Sequence, residues 1–118
     1  MHGLVNVNNE AMLRLVLNSD SDQQPQHVDA VIDTRFDGYL GLPQDVIKRL
    51  GLIPLSTDSI SSPCDTVYQA QILWDDEPRS IAVKVVEGEP VAGMALLQGY
   101  SLQIQVMPHG LVMVERIR

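Results

Sequence analysis

The chain has 118 residues, 45% of them hydrophobic and only 4% aromatic, with a net charge of −7. That length suits a single domain over residues 1–118, and the charge argues against a nucleic-acid partner because nothing would neutralise the phosphates. No apolar run approaches the roughly 18 residues of a membrane span, and the N-terminal residues lack the basic and apolar regions of a signal peptide, so a cytoplasmic protein without membrane contact is expected.

A core with so few aromatics must be built from Val, Ile, Leu and Met. Eight Gly and seven Pro favour short strands and turns over long helices. Leu4, Val5 and Val7, set against Asn6 and Asn8, predict a strand over 3–8. Asn8-Asn9-Glu10 is a turn signal, since Asn tolerates left-handed backbone angles. Residues 11–17 continue as a second strand and complete a hairpin. The polar stretch 18–26 has no periodicity and reads as an exposed loop.

Residues 27–33 alternate again, with Val28, Ala30 and Ile32 on one face and Asp29, Val31 and Asp33 on the other. After a turn, 39–42 form a short extended piece. Pro43 suits the first position of a helix, where its missing N–H is not needed. Val46, Ile47 and Leu50 fall at helical spacing, and Gly51 is a natural stop. A helix over 43–50 has only about two turns and needs tertiary packing to persist. Polar turn residues over 52–68 predict a long hairpin with its tip near Asp58-Ser59. Strands over 66–74 and 79–86 flank a turn at 75–78. Residues 91–98 read as an apolar strand end running into a helical turn. Strands over 100–107 and 111–117 close the chain around Pro108-His109-Gly110. Seven or eight strands with turns at this spacing predict an all-β closed or partly closed barrel with one or two short helices.

The segment Val28-Asp29-Ala30-Val31-Ile32-Asp33-Thr34-Arg35-Phe36 stands apart. Only here does an apolar strand end deliver an ionisable side chain directly into a turn. Ile32-Asp33-Thr34, then Phe36, then Gly38-Tyr39-Leu40-Gly41-Leu42-Pro43, resembles the retropepsin-like aspartic peptidases, in the branch with an Asp-Thr-Gly-Phe motif. Val91-Ala92-Gly93-Met94 and Leu97-Gln98-Gly99-Tyr100 resemble that family's second hydrophobic-hydrophobic-Gly element, which packs under the catalytic loop, and its continuation. In this chain Arg35 stands in place of the motif Gly.

The resemblance implies a small acid-peptidase barrel acting as a homodimer, because the chain carries one Asp-Thr motif where two-lobed relatives carry two. It implies Asp33 as the catalytic carboxylate, with Thr34 fixing the loop across the two-fold axis. It also implies an extended peptide or protein substrate and neither metal nor organic cofactor. The flap, about 55–65, would close over the peptide and brings Thr57, Asp58, Ser59 and Ile60 to it as substrate-binding residues. The terminal strands, 3–7 and 111–117, are candidates for the subunit interface. Arg35 would lie in or beside the substrate channel. A cation that close to a catalytic carboxylate favours its ionised form, so Arg35 is expected to weaken or abolish cleavage. A catalytically inactive relative that binds peptides or serves in assembly is the alternative, and an unrelated small barrel is a third reading.

Other residues have plainer readings. Asp37 is a turn or solvent-facing acid, and Asp75-Asp76-Glu77 are solvated acids of a hairpin turn. His27 and His109 belong to the surface, and Trp74 packs at a strand end or interface. Met94 and Met107 are core candidates, Gly93 serves close packing, and the lone Cys64 is a small, partly buried residue with no disulfide partner.

Overall fold

The computed structural model describes residues 1–18, 25–55 and 66–117. Ten strands and two helices occur among them: β1 (His2–Val5), β2 (Ala11–Asn18), β3 (Gln26–Ile32), β4 (Leu40–Leu42), α1 (Gln44–Leu50), β5 (Ile53–Pro54), β6 (Val67–Trp74), β7 (Glu77–Val85), β8 (Val91–Ala92), α2 (Met94–Leu97), β9 (Tyr100–Ile104) and β10 (Leu111–Arg116).

Six strands close on themselves. They neighbour one another in the order β2, β3, β8, β4, β7, β6, and β6 returns to β2 through Val16–Leu73, Leu17–Ile72 and Asn18–Gln71. Closure removes the barrel's open edges. The first half of β2 pairs with β1 along the same edge that its second half offers to β6. From there β1, β10 and β9 extend as a terminal sheet, with β9 at its outer edge.

Period-two alternation carries the core, since successive side chains point to opposite faces of a strand. Leu13, Leu15 and Leu17 of β2, Val28 and Ala30 of β3, Ala70, Ile72 and Trp74 of β6, and Ile81 and Val83 of β7 are all buried. Arg14 and Asp29, on the opposite face of β2 and β3, pair outside at 2.9 Å. Val46, Ile47 and Leu50 of α1, with Leu96 and Leu97 of α2, join the same cluster. Each fully buried Leu, Ile or Val contributes about 1.5–3 kcal/mol by leaving water. That burial sustains two helices too short to form alone.

Several expectations are corrected in detail. The strand count rises from seven or eight to ten because β4, β5 and β8 are only two or three residues long, and their pairing depends on distant partners. Two of the pairings, β3 with β8 and β4 with β7, are parallel. Pro43 is the N-cap of α1 rather than its first residue. Its φ of −68° is helix-compatible, but its ψ of 156° is extended, so the helix starts at Gln44. Gly51 ends α1 at φ 67°, a left-handed conformation that costs Gly little.

The first predicted strand stops at Val5. The Asn6 side chain accepts the N–H groups of Asn8 and Glu10 at 2.9 and 3.0 Å and bends the chain into its turn. The turn expected over 75–78 contracts to Asp75-Asp76, and Pro78 lies within β7 opposite Leu73. The strand expected over 100–107 ends at Ile104. Met94 and Met107 are 46% and 58% exposed and do not belong to the core. Part of the predicted 18–26 loop and Cys64 lie outside the described residues.

Candidate active site

Asp33 is the first residue past β3. Its N–H donates to the Ala92 carbonyl at 3.0 Å, which extends the β3–β8 pairing by one residue before the chain turns away. Thr34 and Arg35 form the turn. One Asp33 carboxylate oxygen, Oδ1, accepts the Arg35 N–H at 2.9 Å, and the Asp33 carbonyl accepts the Phe36 N–H at 3.2 Å. This side-chain-to-backbone bond two residues on is an Asx turn. It holds the carboxylate in one orientation while the side chain stays 33% exposed.

The loop after Asp33 is clamped to the segment around α2. Gly93 donates to the Tyr39 carbonyl at 3.0 Å, Met94 to Phe36 at 2.8 Å and Ala95 to Gly38 at 3.2 Å. Gly93 is required by close approach. A β-carbon there would lie 2.6 Å from Phe36 Cδ2 and 2.7 Å from the Phe36 carbonyl oxygen, and would also collide with the Gly38 carbonyl. The close-packing role expected for Gly93 is therefore seen, and its packing partner is the Asp33 loop.

A second tie was not legible in the sequence. The Arg79 guanidinium of β7 lies 5.5 Å from the centre of the Tyr39 ring, and its Nη1 donates to the Leu96 carbonyl at 3.3 Å. It links the barrel wall to the end of the loop and to α2. No spacing rule joins residues 39, 79 and 96, so only the fold reveals it.

Asp33, Thr34 and Arg35 thus share one turn, with Thr34 and Arg35 exposed. Arg35 Nε lies 3.7 Å from Asp33 Oδ1, longer than a hydrogen bond, and its side chain is 93% exposed. Thr57, Asp58, Ser59 and Ile60 lie outside the described residues. The residues on either side of them are described: Ile53 and Pro54 of β5 face Gln69 and Tyr68 of β6, and Leu55 donates to Val67 at 2.7 Å.

Of the other charged groups, Asp37 lies in the Asp33 loop itself and the rest lie elsewhere. The hydrogen bond and charge of Asp29 raise the Arg14 pKa above its ordinary value, on the outer barrel surface. Asp75 and Asp76 are exposed in their turn, and Asp37, His27 and His109 are exposed as expected. Among the described residues no group of three His, Cys, Asp or Glu could hold a metal ion, and no helix there is long and apolar enough to cross a membrane. The site offers one oriented, solvent-accessible carboxylate per chain, with a cation beside it.

No family model and no curated protein sequence matches the chain. Among solved structures, the chain is similar to a retropepsin-like aspartic protease from Rickettsia conorii, with a TM-score of 0.64 and 13% identity over 100% of this chain and 91% of that one. At that identity the likeness establishes the fold. The closed barrel with two short helices is a retropepsin-like fold, as the motif order implied.

Proposed function

We propose that this chain, built on the retropepsin-like fold, is an aspartic endopeptidase that hydrolyses peptide bonds between the Asp33 carboxyls of a homodimer. The observation that carries the reading is the Asp33 loop on that fold. An apolar strand delivers the acid, an Asx turn orients it at 2.9 Å, and Gly93 admits the segment that clamps the loop.

Hydrolysis by water needs a base and an acid at the same bond. One carboxylate cannot be both at once, and each chain supplies one Asp33. A symmetric pair solves this, because two carboxyls about 3 Å apart cannot both ionise easily and share a proton. The ionised Asp33 takes a proton from water as the water oxygen bonds to the peptide carbonyl carbon. The protonated Asp33 gives its proton to the carbonyl oxygen. When the intermediate collapses, the C–N bond breaks, the nitrogen takes a proton from a carboxyl, and a carboxylic acid and an amine leave. Neither metal nor organic cofactor enters. Thr34 acts as a positioning residue between the two loops. In this reading the segment between β5 and β6, with Thr57, Asp58, Ser59 and Ile60, supplies the substrate-binding residues for a peptide bound as an added strand.

Arg35 holds this site back. Its guanidinium stands 3.7 Å from Asp33 Oδ1, in the space where the scissile bond and its water would have to be held. The test is cleavage of a diverse peptide pool from acidic to neutral pH by the unaltered chain, Arg35→Gly and Asp33→Ala, at concentrations that populate a dimer. Cleavage that Asp33→Ala abolishes and Arg35→Gly increases is the expected result. Cleavage that survives Asp33→Ala would overturn Asp33 as the catalytic group, and none by any form would leave a peptide-binding or assembly module as the better description.

A further inference from the structure

A guanidinium next to a carboxylate is usually read as a brake, but its placement here has a second consequence. The Arg35 backbone is pinned by its N–H bond to Asp33 Oδ1, so the side chain starts at the site. The side chain itself is 93% exposed, and its one ion pair among the described residues is the 3.7 Å approach of Nε to that same oxygen. A guanidinium has five N–H donors in a planar fork that matches a carboxylate in two-point contact. A single approach at 3.7 Å uses little of that capacity. The second nearby cation, Arg79, is half-buried and engaged with the Tyr39 ring and the Leu96 carbonyl. Arg35 is therefore the cation of this loop that can meet a ligand.

We propose that Arg35 makes the Asp33 site selective for extended peptides with an acidic side chain beside the bond held at Asp33, and that this side chain draws the guanidinium off Asp33. The scissile-bond part of this proposal rests on the peptidase reading; the selection of acidic peptides by Arg35 does not. A two-point carboxylate contact is stronger than the resting approach and replaces it. Asp33 keeps its orientation when the guanidinium leaves, because the bond that orients it comes from the Arg35 backbone N–H. The right substrate thus lifts the brake that other peptides leave in place. The net charge of −7 is spread over the molecule, and charges more than about 8 Å from the site are largely screened at physiological salt.

The test uses matched peptides with Glu, Gln or Lys at the positions flanking the central bond, against the unaltered chain, Arg35→Gln and Arg35→Glu. These are exposed-site substitutions, and circular dichroism verifies their folding. Both kcat/KM and binding by fluorescence polarisation are read, the latter also on Asp33→Asn so that cleavage does not consume the probe. The unaltered chain should favour the Glu peptides roughly tenfold. Arg35→Gln should lose the preference and Arg35→Glu should reverse it toward Lys. An unchanged preference in Arg35→Gln, or no preference in the unaltered chain, overturns the proposal. If nothing is cleaved, the peptidase reading fails and binding alone decides: an Arg35-dependent preference for Glu upholds the selection, and equal or absent binding overturns it.

Discussion

Asp33 and Gly93 show how much a single residue can announce. Asp33 was legible because a charged side chain at the end of an apolar strand is out of place unless the chain turns there, and Asp-Thr with Phe36 supplied the rest of the pattern. Gly93 was legible as a packing residue, and the resemblance placed it under the Asp33 loop, but its contact with Phe36 was not legible, since Phe36 lies far away in sequence and meets it only across the β3–β8 pairing. The contact makes a sharp prediction. Gly93→Ala places a methyl group 2.6–2.7 Å from Phe36 atoms, so the loop must shift or the clamp must open. Overpacking of this kind costs about 1–3 kcal/mol. Urea unfolding should show that loss, whereas Ala at exposed Gly88, where an added β-carbon meets nothing within 4 Å, should show only the smaller cost of its positive φ. Arg35 is the converse case. Its identity was obvious and its placement was not, because a long flexible side chain can reach toward a carboxylate or away from it.

At the scale of the elements, long alternating strands were readable and short ones were not. β6 and β7 each carry enough alternation to reveal their inner face. β5 and β8, two residues each, exist because a neighbouring strand offers its hydrogen-bonding groups. The β6–β7 hairpin illustrates the local rule. Trp74 pairs with Glu77, which leaves a two-residue turn with Asp75 and Asp76 at φ 53° and 68°. Positive φ at both central positions is the type I′ arrangement that suits strand twist. Asp suits the first position, whereas Gly is favoured at the second. Asp76→Gly should therefore raise stability by up to about 1 kcal/mol, reduced by the extra freedom Gly gives the unfolded chain. Thermal unfolding of this variant beside the unaltered chain measures the net effect, and a lower midpoint would show that the unfolded-state entropy dominates.

For the whole molecule, the terminal strands show which surfaces a partner could meet. β1 and β10 pair with each other inside the chain, between β2 and β9, so their backbone edges are already occupied. The outer edge belongs to β9, next to exposed Ile104, Val106 and Met107. A dimer that used the terminal strands would meet through their faces or through β9. The proposed shared site has a consequence that does not depend on which surface is used. If both Asp33 residues are needed, mixing in Asp33→Ala chains should lower activity below the fraction of unaltered chain present, because mixed dimers are silent. Activity strictly proportional to the unaltered chain would instead assign the chemistry to one protomer.

The sequence by itself determined the all-β class, the inward faces of the long strands, the α1 stop at Gly51 and the Asp33-Thr34 turn. All of these rest on short-range periodicity, local backbone preference or a contiguous motif, which act within a few residues. Tertiary structure decided the closure of β6 onto β2, the parallel β3–β8 and β4–β7 pairings, the fit of Gly93 under Phe36 and the hold of Arg79 on Tyr39. These are contacts between residues far apart in the chain. They are selected by which arrangement buries the most apolar surface while leaving the backbone paired, and that choice belongs to the folded chain as a whole.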